Sequence, residues 1–149
     1  MEAFLQKSSY EKLILQMVYI EENTEAIQEA IMESGLGTSK ADIELYFEKY
    51  IKRIEALLKE IHIAGHGERL NRLPFVVLDS SFTLRDANNK VYYCHLSNDN
   101  NWEENRNLHQ IYFLSETGLT LLLKKEGRSV HVDMGNGHME HTISSIRIV

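Results

Sequence analysis

Through the first sixty residues, apolar positions return at alternating steps of three and four. Tyr10, Leu13, Met17, Ile20, Thr24, Ile27 and Ile31 form one series, and Ile43, Phe47, Tyr50, Ile54, Leu57 and Ile61 form a second. Such spacing keeps each series on one narrow stripe of a helix, as in the seam of a coiled coil. Ser8 with Glu11 three positions on predicts a capped start, and Gly35 predicts a stop because glycine enters the left-handed region at little cost. After the break Gly35-Leu36-Gly37, Thr38 and Ser39 offer a second start, with Asp42 at the position of a capping-box acid. Two seams of ~35–40 Å, at about 1.5 Å per residue, can bury each other when the chain folds back on itself. The prediction is an antiparallel helical hairpin.

From Phe75 onward the period shortens to that of strands. Phe75–Leu78, Phe82–Leu84, Val91–Leu96, Ile111–Leu114, Val130–Val132 and 143–149 are short segments rich in β-branched and aromatic residues. Asp86-Ala87-Asn88-Asn89 and Gly135-Asn136-Gly137 supply turns. The stretch 115–125 has a helical pattern instead: Ser115 can cap it, Leu119, Leu122 and Leu123 share a face, and Lys124 and Lys125 suit a helix C-terminus. The run 97–107 reads as a loop whose one large apolar residue is Trp102. Two glycines within 64–68 and the sole proline, Pro74, place a boundary around 64–73. The expected architecture is α+β, with a helical hairpin over residues 1–66 and a small antiparallel β domain with one short helix over residues 73–149.

Composition narrows the function classes. The chain has 149 residues, and sixteen Lys+Arg against twenty-two Asp+Glu give a net charge of −6. The first half is the more acidic, at −4 for residues 1–74 against −2 for residues 75–149. That balance argues against a protein whose affinity comes mainly from neutralising phosphates, while leaving room for a small basic patch. No apolar run approaches the ~20 residues that span a bilayer, and the first residues lack a secretory pattern. Cys94 alone can form neither an internal disulfide nor a thiolate cage. The expectation is an acidic cytoplasmic protein that holds no metal of its own.

Candidate chemistry is sparse. His138 and His141 lie three apart and should diverge on a strand, so solvated turn histidines are the expectation for them and for His131. Trp102 has one nearby cation, Arg106, and reads as a packing anchor rather than a base-stacking platform. Cys94 reads as a buried small hydrophobe. Lys124, Lys125 and Arg128 form the one basic cluster of the second half, either meeting an acidic partner or solvating a helix end.

Several local sequences occur in a telling order. Tyr10-Glu11-Lys12-Leu13 is followed by Arg53-Ile54-Glu55-Ala56-Leu57, then by Ser115-x-x-Gly118-x-x-Leu121-Leu122. Gly127, Val130-His131-Val132, Gly137 and Ile143-x-x-Ile146 complete the set. Together they resemble the Gre family of bacterial transcription elongation factors, although Glu116 stands where the family has a proline. The resemblance implies a C-terminal domain of FK506-binding-protein-like fold that docks on RNA polymerase near its secondary channel, with a helical hairpin entering the channel. In cleavage-active members, acidic residues at the tip help hold a second Mg²⁺ in the polymerase active site. Carboxylates are hard oxygen ligands suited to that ion, which activates water.

The tip departs from the family pattern of two acids three apart. Gly37 is followed by Thr38 rather than an acid, and Lys40 has the opposite sign. Glu33, Asp42 and Glu44 are the nearest carboxylates. Asp42 and Glu44, two positions apart, point about 200° away from each other on a helix. Each arm is also about one turn shorter than the family pattern.

The leading expectation is therefore a Gre-like binding module that occupies the secondary channel through Gly35, Leu36 and Gly37, docks through Lys124, Lys125 and Arg128, and lacks efficient transcript cleavage. It would be a monomer without a cofactor, would meet nucleic acid only inside the transcription complex, and would not be an enzyme itself. One alternative has Asp42, Glu44 and Glu33 supporting Mg²⁺-dependent cleavage. Another has the helical seam pairing two chains as a homodimer.

Overall fold

The computed structural model describes residues 3–37, 39–67, 70–98, 108–135 and 137–148. The chain divides into two compact units, residues 1–71 and residues 72–149.

The first unit runs β1 (Ala3–Leu5), α1 (Lys7–Glu22), α2 (Thr24–Glu33), α3 (Lys40–Glu60) and β2 (Ile61–Ile63). The second series of apolar positions folds as read: Ile43, Phe47, Tyr50, Ile54 and Leu57 are the buried face of α3. In α1, however, the buried positions are Ser9, Leu13, Gln16 and Ile20, and in α2 they are Ile27, Gln28 and Ile31. The seam of α1 is thus turned by about one position from the apolar series. Ser9 and Gln16 take the places expected for Tyr10 and Met17, which are half-buried. The helix also starts one residue before Ser8, with Gln6 as its cap.

The expected unbroken helical hairpin is corrected by this unit, which has three helices and a small sheet. The break lies at Asn23, where Asn23 Nδ2 donates to Tyr19 O at 2.8 Å and Thr24 Oγ1 donates to Ile20 O at 3.1 Å. Side chains that bond the preceding carbonyls compete with helix continuation. β1 and β2 pair in parallel, with Phe4 opposite His62. Asn71, at a φ of 62°, adds a further tie: its amide donates to Phe4 O at 2.7 Å, and its side chain exchanges two hydrogen bonds with Gln6.

The second unit contains β3 (Ser80–Asp86), β4 (Val91–Ser97), β5 (His109–Tyr112), α4 (Glu116–Leu121), β6 (Ser129–Asp133) and β7 (His138–Ile148). Its five-stranded sheet has the order β5-β4-β3-β7-β6. The expectation of a simply antiparallel sheet is corrected too, because β5 runs parallel to β4. A parallel neighbour cannot be reached by a tight two-residue turn. Phe75–Leu78, expected as a strand, is buried irregular chain held by Val76, whose amide donates to Lys124 O at 3.0 Å and whose carbonyl accepts from Leu123 N at 2.8 Å.

One face of the sheet is core. Phe82, Leu84, Tyr92, Cys94, Leu96, Val130, Val132, Ile143, Ile146 and Ile148 are all buried there or beside it. Strict alternation would send Ile143 and Ile146 to opposite faces. A bulge between Ser81 and Thr83, with Ser145 at a φ of 55°, inserts the extra residue that turns both inward. Among the described residues, no helix is long and apolar enough to cross a membrane.

Candidate interaction sites

The turn between α2 and α3 is built from its caps. Ser34 closes α2, its amide donating to Ala30 O and Ile31 O at 3.2 Å. Gly35 and Gly37 follow at φ values of 76° and 71°, in open space, so their requirement is conformational and not steric. Ser39 then starts α3 as predicted, its hydroxyl accepting from Asp42 N at 3.2 Å. Leu36 is half-buried between the glycines. Thr38 lies outside the described residues.

Glu33, Asp42 and Glu44 are all exposed, and among the described residues no hydrogen bond or ion pair joins them to one another. Glu33 ends α2, while Asp42 and Glu44 sit in the opening turns of α3 on different sides. Magnesium favours near-octahedral oxygen coordination with carboxylates converging on one point. This trio does not form such a set. Among the described residues, no group of three or more His, Cys, Asp or Glu side chains is placed to hold a metal ion.

The basic cluster stands on a braced loop. Lys124, expected near the end of a helix, lies beyond it, because α4 closes at Leu121. Ser115 caps α4 as read from the sequence, accepting from Gly118 N at 3.0 Å. After Leu123 (φ 67°) and Gly127 (φ 84°), the loop is laced to its neighbours. Lys125 bridges Phe75, Gly127 N donates to Ile143 O at 2.7 Å, and Ile143 N donates to Arg128 O at 3.0 Å. The backbone is fixed while Lys124, Lys125 and Arg128 are exposed.

His141 is a correction. It belongs to β7, is 1% exposed, and packs its ring edge-on against Tyr92 at 5.6 Å. His138 and His131 are exposed, on β7 and β6 rather than in a turn. Cys94 is buried at 1% exposure, and burial pushes its thiol from an ordinary 9.0 up to about 12. Trp102 and Arg106 lie outside the described residues.

Sequence reading passed over the outward face of the sheet. There the register sets His95, Ser81 and Arg147 in one row across β4, β3 and β7. Tyr93, Thr83 and Ser144 form the next row, and Val91, Arg85 and Thr142 the third. A period-two pattern with Tyr93 and Arg85 on the polar side was the available signal.

No family model and no curated protein matches the chain. Solved structures similar to it include Gre-type transcription factors. They include GreA factor homolog 1 (Gfh1) of Thermus thermophilus, 22% identical over 99% of both chains with a TM-score of 0.45. Gfh1 of Thermus aquaticus is 24% identical over 98% of both chains, with a TM-score of 0.44. The elongation factor GreA/GreB from Nitrosomonas europaea is 14% identical over 99% of this chain and 98% of that one, also at 0.44.

Proposed function

We propose that this protein is a Gre-like factor that binds bacterial RNA polymerase at its secondary channel and modulates elongation without efficient transcript cleavage. The ordered motifs along the chain support the polymerase as partner. The observation that carries the cleavage-deficient part is the α2–α3 turn. Asp42 lies in the first turn of a helix capped by Ser39 there, Glu44 points elsewhere, and Glu33 belongs to another helix. The turn would occupy the channel through Gly35, Leu36 and Gly37, while the braced cations Lys124, Lys125 and Arg128 would meet an acidic surface of the enzyme.

The test is a stalled, backtracked elongation complex mixed with the protein. Binding that competes with a cleavage-active factor, with no shortening of the transcript, is the expected outcome. Rapid shortening that disappears in Asp42→Ala/Glu44→Ala would replace this reading with the cleavage-stimulating one. Absence of binding to core polymerase at micromolar concentration would remove the whole class.

A further inference from the structure

We propose that the outward face of the five-stranded sheet binds a short single-stranded stretch of RNA. This inference stands on residues 72–149 alone and does not depend on polymerase binding. Its centre is Tyr93, 59% exposed on β4 and unusual as a large aromatic left in water on a strand whose inward side is fully packed. Directly across β3 and β7 lie Thr83 and Ser144, whose hydroxyls bond each other at 2.5 Å. The rows on either side carry the cations. Arg147 lies beside Ser81, and Arg85 lies two rows further along, about 13 Å away at strand rise. Both arginines are exposed, and among the described residues neither has an ion-pair or hydrogen-bond partner for its guanidinium.

The arrangement matches how open sheets take single strands. A base stacks on an exposed ring, and guanidinium groups on either side hold the phosphates that flank it. His95 adds a polar group at the same edge, its Nδ1 3.0 Å from Ser81 Oγ, with the Asp79 carboxylate 3.9 Å behind its Nε2. Asp79 therefore bounds the cationic strip at that edge, and Glu140 on β7 bounds it at the other end. The chain's net charge of −6 repels phosphate generally, so the two arginines are what makes this face locally attractive to it. A duplex would present only its backbone to a face that offers a stacking surface, and is disfavoured.

The experiment is fluorescence polarisation with the full-length protein and a labelled ten-nucleotide oligouridine, at 50 and 200 mM salt. The expected results are micromolar binding at low salt and much weaker binding to an RNA duplex of equal length. Tyr93→Ala should weaken binding roughly 5- to 100-fold, whereas Tyr93→Phe, which keeps the ring, should stay within about twofold. Arg85→Gln with Arg147→Gln should reduce the salt slope by about 1.4. All three positions are exposed, and circular dichroism checks each fold. No binding at 50 mM salt, equal affinity for the duplex, or affinity unchanged in the Tyr93→Ala and arginine variants would overturn the proposal.

Discussion

Tyr50 donates its phenolic hydroxyl to Gln16 Oε1 across the buried interior of the helical unit, joining α3 to α1. Both residues are buried, so the bond is shielded from water, and neither partner has solvent to fall back on. Tyr50→Phe leaves a buried acceptor and should cost about 1–3 kcal/mol. Replacing both, with Gln16→Met added, should cost less than the sum of the two single changes. Urea unfolding of the four proteins checks this as a double-mutant cycle.

Gly118 has a steric reason to be glycine. A Cβ there would stand 2.2 Å from Tyr112 O and 2.7 Å from the Phe113 Cα, both backbone atoms that no rotamer change can clear. Gly118→Ala should therefore destabilise residues 72–149 by about 3 kcal/mol. Gly127→Ala meets open space and carries only the strain of its positive φ, about 1–2 kcal/mol. Denaturant midpoints of the two variants should rank in that order.

Legibility followed the strength of the local signal. α3 was readable because all its buried positions are apolar and Ser39 caps it, so pattern and packing agree. α1 misled because Ser9 and Gln16 are polar residues in buried places, and a hydrophobic series slides past them to Tyr10 and Met17. The break at Asn23 depends on side-chain bonds to Tyr19 O and Ile20 O, which spacing does not reveal. The parallel pairings of β1 with β2 and of β4 with β5 are long-range choices with no period of their own. At the candidate site, the missing acid pair was plain from Gly37-Thr38 and Lys40. The grid around Tyr93 required knowing which strands are neighbours.

Cys94 should be inert at neutral pH. Burial raises its thiol to about 12, so the reactive thiolate is nearly absent in the folded state. In the unfolded chain the thiol ionises near its ordinary 9.0. Its contribution to stability is therefore complete below pH 9 and is lost as pH rises toward 12. Labelling by a thiol reagent at pH 8 should be slow in buffer and fast in denaturant. Stability of Cys94→Ala should fall less steeply above pH 9 than that of the parent.

The braced loop predicts a clean separation of affinity from stability. Lys124→Glu, Lys125→Glu and Arg128→Glu change exposed side chains and leave the bonds to Val76 and Ile143, which are backbone bonds, in place. Each should shift stability by no more than about 0.5 kcal/mol. The triple variant should lose at least tenfold in affinity for core polymerase, with a flatter salt dependence, measured by equilibrium binding at several salt concentrations.

The pairing of Ala3–Leu5 with Ile61–Ile63 fixes an order of events. Helical turns form from neighbours, whereas this pairing closes a long loop and must wait until both ends exist. On a ribosome the three helices can therefore be complete while Leu5, fully buried in the finished fold, still faces water. Asn71, gripping Phe4 and Gln6, acts as the latch that finishes the unit. A chain stopped just short of that residue would still hold both strands of the pairing but lack the three hydrogen bonds that Asn71 makes to Phe4 and Gln6.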